Sequence, residues 1–251
     1  MDTAQQTKYK ILLIGDACED IYTYGYVNRI SPEAPVPIFE PHYTIYHDGM
    51  AGNVRKNLEA LGCTVDFIRG KTSRKKRLID QRTKQQLLRL DEDAVSEPVA
   101  FETAIPPVYD AIVISDYNKG TVSYELIEEL VNEVDVPIFV DTKKTDLARL
   151  SGCYVKINAL EKSRATSFPD PEHLIVTHGG DGAEWNSWVF PAEIAGDVVD
   201  VCGAGDTFLA ALAYKFLETK HMPDAVKFAN KASAITVQHV GVYAPRLEQI
   251  K

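Results

Sequence analysis

Six short apolar runs rich in β-branched residues punctuate the chain: KILLIG (10–15), VDFI (65–68), AIVIS (111–115), PIFVD (137–141), YVKIN (154–158) and LIVTHG (174–179). Runs of this length between polar or glycine-containing segments predict strands. GNVRKNLEALG (52–62) and SYELIEELVNEV (123–134) instead repeat their apolar residues at helical spacing. Strands alternating with helices predict βαβ units, hence an α/β fold with a mainly parallel sheet covered on both faces. Chemistry in such a fold belongs at the C-terminal ends of the strands, where the loops gather.

Two stretches break this rhythm. YTYGYVNRISPEAPVPIFEPHYTIYHDG is aromatic, proline-studded and alternating, and KKRLIDQRTKQQLLRLDED reads as two strands around a polar turn. Together, over about 22–48 and 72–92, they predict a small β sheet beside the main one, serving as a lid or a dimer contact. No internal repeat or low-complexity linker divides the 251 residues, which read as a single domain over 1–251.

Composition narrows the classes. No apolar run approaches the roughly 20 residues of a membrane-spanning helix. The formal charge of -9 argues against a general nucleic-acid binder. The basic run KTSRKKR (71–77) stands out, as a solvated strand face or as a contact for a substrate phosphate. Cys18, Cys63, Cys153 and Cys202 form no C-x-x-C pair, so neither a disulfide framework nor a zinc site is indicated. The polar opening MDTAQQTKYK has no apolar signal core, and the expectation is a cytoplasmic chain.

The segment DVCGAGDTFLAAL (200–212) carries the chemistry. Gly203 and Gly205 let backbone N–H groups converge ahead of a helix, whose N-terminus adds partial positive charge, a combination suited to a phosphate or a developing anion. Asp206 then falls in the first turn. An acid beside an anion site is a poor choice for binding alone, but a good one for taking a proton from an attacking hydroxyl. An aspartate that merely stabilises a helix start reads the same way. No G-x-x-x-x-G-K-[ST] loop occurs, and GAGDTF lacks the third glycine of a dinucleotide fingerprint.

DVCGAGDTFLAAL resembles the C-terminal signature of the ribokinase-like (PfkB) carbohydrate kinases, and ILLIGDACEDIYTYGYVNRISPEAPVPIFE resembles the opening of their heptose 7-phosphate kinases. HDGMAGNVRKNLEALG, TSRKKRLIDQRTKQQLLRLDED, AIVISDYNKG, FVDTKK, NALE and VTHGGDG follow in the family's order. The resemblance implies a three-layer ribokinase-like sandwich with a small β lid. It also implies an ATP- and Mg²⁺-dependent sugar kinase, with K⁺ as a further cofactor in some relatives; the lid stretches themselves lead to the expectation of a homodimer through the lid.

Carried over by position, Asp206 would be the base, with the N–H groups of Gly203, Ala204 and Gly205 stabilising the transferring phosphoryl group. Asp20, Gly49 and Asn53 match sugar-contacting positions, and Lys143 a contact for a phosphate of the substrate or of ATP. Asn158 and Glu161 match the motif that organises Mg²⁺ through water, while Thr177, Gly179, Gly182 and Asn230 match the nucleotide pocket. Asp200 and Gly241 match a monovalent-cation site. Asp20, Glu161, Lys143 and Gly49 also have plain structural readings as a strand-end acceptor, a helix acid, a solvated lysine and a turn glycine.

The chain departs from the family in three places, of which the first and the last touch the sugar side. Met50 stands where relatives carry a second glycine of the sugar loop, Cys202 replaces the signature's threonine, and the chain jumps from VDFIRG to KTSRKK where relatives carry a further helix and strand. A helix is also trimmed between NALEKSRAT and PEHLIVTHG. Three readings follow: a kinase for a heptose 7-phosphate at its anomeric position, a kinase of the same chemistry for another sugar or sugar phosphate, and a trimmed pseudokinase that only binds nucleotide or sugar.

Overall fold

The computed structural model describes residues 8–100, 108–193 and 196–250. The first seven residues of the polar opening, on which the cytoplasmic expectation partly rests, lie outside them. The apolar runs form the strands expected of them: β1 (Lys10–Ile30), β3 (Thr64–Asp80), β5 (Ala111–Asp116), β6 (Ile138–Thr142), β7 (Tyr154–Asn158) and β8 (Leu174–Thr177). All six pair in parallel, in the order β8-β7-β6-β5-β1-β3. Every residue of β5 is buried, which is why AIVISD reads as one unbroken apolar run: a central parallel strand is covered on both faces.

One face of the sheet packs against α1 (Ala51–Ala60), α4 (Ala204–Thr219) and α5 (Met222–Thr236), through Leu13, Val113, Phe139, Leu58, Leu212 and Val226 among others. The other face, carrying Leu12, Ile114 and Val140, is covered by α2 (Tyr124–Glu133) through Leu126, Ile127 and Leu130. The helix α4 is buried nearly all round because it lies between the sheet and α5, and its alanines let both neighbours approach.

The lid strands β2 (Pro37–Met50) and β4 (Gln86–Glu92) pair antiparallel with the outer halves of β1 and β3. Here the structure differs from the sequence reading. VDFI and the lid strand that follows it are not two elements but one 17-residue strand, and β1 likewise runs 21 residues from the core into the lid. The missing segment leaves nothing to interrupt β3, so core and lid are one continuous sheet.

Nor does a helix follow every strand. A single turn, Leu147–Leu150, joins β6 to β7, and α3 (Ala159–Arg164) with one turn joins β7 to β8. The hairpin of β9 (Ala183–Trp185) and β10 (Trp188–Phe190), too short to register as a pattern, closes the far edge. Among the described residues, no helix is long and apolar enough to cross a membrane.

Phe139, fully buried in β6, packs its ring 5.3 Å from that of Tyr154 and 5.6 Å from that of Phe216. Phe139→Ala is expected to cost about 3–5 kcal/mol in urea unfolding, with no change in the slope of the transition.

Candidate active site

The glycine loop sits at the C-terminal edge of the sheet. Gly203 adopts φ 77°, a left-handed conformation that a side chain would strain, and a Cβ there would meet the Asn53 amide at 2.7 Å. That backbone turn starts α4 and puts Asp206 in its first turn, where the N–H groups have no intrahelical acceptor.

Asp206 is only 6% exposed. Its Oδ2 accepts from Asn53 Nδ2 at 2.8 Å, and its Oδ1 accepts from the Tyr117 hydroxyl at 2.9 Å. Burial pushes the carboxyl up to about 6, with the charge of Asp141 adding to it; the bonds from Asn53 and Tyr117 and the charge of Lys156 pull the other way. A carboxylate of that proton affinity is poised to exchange a proton near neutral pH.

Asn53, on the buried face of α1, is in turn held by Asn57, whose Nδ2 donates to the Asn53 carbonyl oxygen at 2.9 Å. Asn57 Oδ1 accepts from Thr207 Oγ1 at 2.9 Å, which ties α1 to α4 beside Asp206. Asn53 and Asp206 are therefore parts of one buried hydrogen-bonded unit.

Asp20, on the lid half of β1, accepts from Arg77 at 2.6 Å on β3, and a Cβ on Gly49 would meet its Oδ2 at 2.1 Å. Glycine at 49 is thus required by the approach of Asp20. Met50, the departure from the glycine pattern, takes φ 54° and ψ -133° as the residue capping α1, a backbone region in which L side chains are strained.

On the opposite side lies a cavity of about 300 Å³ lined by Lys156, Thr177, Gly179, Gly182, Gly205 and Asn230 with further apolar residues. Thr177, Gly179, Gly182, Asn230 and Asn158, expected from motif position, all line it. Gly182 has φ 96° and would clash with the Phe190 carbonyl at 2.1 Å if it carried a Cβ. The Asn230 amide donates to that same carbonyl at 2.8 Å, shaping the cavity wall.

Asn158 and Glu161 form a capping box on α3: Asn158 Oδ1 accepts from the Glu161 N–H at 2.9 Å, and Glu161 Oε2 accepts from the Asn158 N–H at 2.7 Å. The other Glu161 oxygen pairs with Lys143, whose ammonium lies 5.4 Å above the Tyr117 ring. Among the described residues no group of three or more His, Cys, Asp or Glu could hold a metal by itself. Glu161, with one oxygen on the Asn158 N–H and the other on Lys143, stands next to a residue that lines the cavity, and a single carboxylate there fits Mg²⁺ that arrives with a nucleotide and keeps its waters.

Asp200 Oδ1 accepts from the Cys202 N–H and its Oδ2 from the Gly241 N–H, both at 2.9 Å, so the two expected cation-site positions meet. Burial raises the Cys202 thiol above its ordinary value, with the charge of Asp200 adding to it.

Two side chains escaped motif reading. Lys156, 3% exposed, pairs with Asp141 at 2.7 Å, and its ammonium lies 3.0 Å from where a Cβ on Gly205 would stand. Burial would lower this lysine, yet it is held above its ordinary value, chiefly by Asp141 and then by Glu161 and Asp206. Its signal was a lysine inside the apolar run YVKIN. Tyr117, in AIVISDYNKG, reaches Asp206 across 89 positions of sequence.

Known proteins match this architecture. A family description, pfkB family carbohydrate kinase, covers residues 121–250. The Bifunctional protein HldE of Nitratiruptor sp. is 31% identical over 97% of this chain and 64% of its own length. The chain spans 62–64% of the length of the first curated relatives it matches. The fold superposes with a TM-score of 0.71 on the ribokinase of Thermotoga maritima, at 18% identity over 96% of this chain and 98% of that one. The Arabidopsis thaliana ribokinase complexed with ribose and ATP gives the same TM-score at 16% identity, over 96% and 97% of the two chains.

Neutralising one member of the buried Lys156–Asp141 pair leaves a charge without its partner. Lys156→Met alone is expected to cost about 3–5 kcal/mol in urea unfolding, and Lys156→Met with Asp141→Asn to recover most of it. A loss below about 1 kcal/mol in the single variant contradicts this reading of the pair.

Proposed function

The chain belongs to the pfkB family of carbohydrate kinases, phosphotransferases with an alcohol group as acceptor, and we propose that its acceptor is D-glycero-D-manno-heptose 7-phosphate, phosphorylated at the anomeric hydroxyl by ATP. The observation that carries the kinase chemistry is the Asp206 carboxylate, buried between the Gly203–Gly205 loop and Asn53 of the sugar loop.

In this reading the acceptor hydroxyl gives its proton to Asp206 as its oxygen forms a bond to the γ-phosphorus. The bond from that phosphorus to the β-phosphate oxygen breaks, and its electron pair leaves with ADP. Asp206 later returns the proton to water. First-turn N–H groups of the glycine loop, with the Lys156 ammonium behind Gly205, stabilise charge on the phosphoryl oxygens. Thr177, Gly179, Gly182 and Asn230 bind the nucleotide, and Glu161 with Asn158 would hold Mg²⁺. Mg²⁺ supplies neutralisation of the ATP phosphates. Asp200 and Gly241 offer a place for K⁺.

A phosphorylated acceptor is favoured by the lid. Lys75 pairs across the sheet with Asp20, and Arg77 with Tyr22 and Arg89, so alternation puts these three cations on the face that carries Asp20. Arg77 lies against the Tyr22 ring at 4.8 Å. Arg77 and Arg89 are offset by Asp20 and Asp91, while Lys75 has no hydrogen-bonded carboxylate among the described residues. The heptose itself is supported by the motif R-I-S-P-E-A-P-V-P at 29–37. A second reading, another sugar phosphate, is favoured by the strained Met50 beside Gly49, which alters the backbone that approaches the sugar.

The lid also supports a homodimer: Tyr46, Leu88 and Leu90 are 62%, 48% and 47% exposed on its strands. Light scattering on the purified chain is expected to give twice 27.9 kDa, and Leu88→Lys with Leu90→Lys to return it to the monomer. With Mg-ATP and the heptose 7-phosphate, ADP release should fall by roughly 10²–10⁴ in Asp206→Asn. Equal, negligible turnover of both proteins on this acceptor, but not on other sugar phosphates, moves the assignment to the second reading.

A further inference from the structure

The residue that holds the base in place has its own scaffold. Tyr117 sits on the turn after β5, and the N–H groups of Tyr117, Lys119 and Thr121 all donate to the carboxylate of Asp16, at 2.8, 3.0 and 3.3 Å. Asp116 takes the Asn118 N–H at 2.8 Å and is itself fixed by Thr142 at 2.6 Å and Lys144 at 3.3 Å. Asp16 and Asp116 are each 1% exposed. Two buried carboxylates spent on one five-residue turn exceed what joining β5 to α2 requires, and what the turn delivers is the Tyr117 hydroxyl to Asp206 Oδ1.

We propose that Tyr117 is a positioning residue for Asp206: its hydroxyl, fixed through Asp16, holds the carboxylate in the orientation that faces the glycine loop and favours its ionised form. The inference rests on Asp206 being the base. Asp206 is faced by Asn53 from α1, Tyr117 from the turn after β5, Asp141 from β6, Lys156 from β7 and Cys202 from its own loop. Of these, Tyr117 and Asn53 alone donate a hydrogen bond to it. Removing one such donor withdraws support from the charged form and raises the proton affinity of the carboxylate.

The test is titration of ¹³C-labelled aspartate in the full chain, with Asp206→Asn assigning the resonance. Tyr117→Phe keeps the ring beneath Lys143 and removes only the hydroxyl. The Asp206 midpoint is expected to move up by half a pH unit or more, and Asp16→Asn, which loosens the turn, to move it in the same direction. In turnover, the acid limb of kcat/KM should move with it, with kcat reduced several-fold below pH 7 and KM for ATP unchanged. An unmoved midpoint in a folded Tyr117→Phe protein overturns the proposal, because a merely structural hydroxyl would leave Asp206 untouched. A shifted midpoint in a chain that turns over no sugar phosphate upholds the coupling and overturns the kinase reading alone.

Discussion

Taking the Asp206 carboxylate out of water is costly, and much of the architecture at the sheet's C-terminal edge answers that cost. Asp206 keeps a usable charge because two neutral donors meet its two oxygens and an ammonium lies near. Each donor comes from a different part of the chain: Asn53 from the helix after the lid strand β2, Tyr117 from the turn after the central strand β5. Each is secured by buried polar partners of its own, Asn57 and Thr207 in one case and Asp16 in the other. The parallel sheet makes this economical, since strands far apart in sequence deliver their loops to one edge.

At the same edge lysines offset part of the carboxylate charge. Asp141 and Glu161 are paired with Lys156 and Lys143, while Asp206 has hydrogen-bond donors but no ion pair among the described residues. Toward the lid, Lys75, Arg77 and Arg89 outnumber Asp20 and Asp91 by one, so the surplus there is positive. A continuous sheet carries both ends, and the long strands β1 and β3 fix the distance between them.

Much of this was legible in the sequence where the signal is local. The buried strands announce themselves as apolar runs, and GAGD announces a tight turn into a helix because only glycine tolerates the backbone at 203. The continuity of β1 and β3 was not legible, since a strand that passes from a two-sided core to an open lid changes its burial pattern midway and imitates two elements. The Lys156–Asp141 and Tyr117–Asp206 contacts were hidden for another reason: they join side chains 15 and 89 positions apart, and no periodicity encodes such a meeting. A lysine within YVKIN was the one anomaly that pointed to the first, because a charge in a buried strand needs a partner.

In the proposed function the glycine loop, Asp206 and the lid face form one site for phosphoryl transfer. A crystal structure with a non-hydrolysable ATP analogue and a heptose 7-phosphate tests it most directly. The terminal phosphate is expected against Gly203–Gly205 within reach of Lys156, an acceptor hydroxyl within hydrogen-bonding distance of Asp206, and the sugar's own phosphate against Lys75 and Arg77. A nucleotide bound away from the glycine loop, or a sugar whose hydroxyls all lie beyond the reach of Asp206, would contradict it.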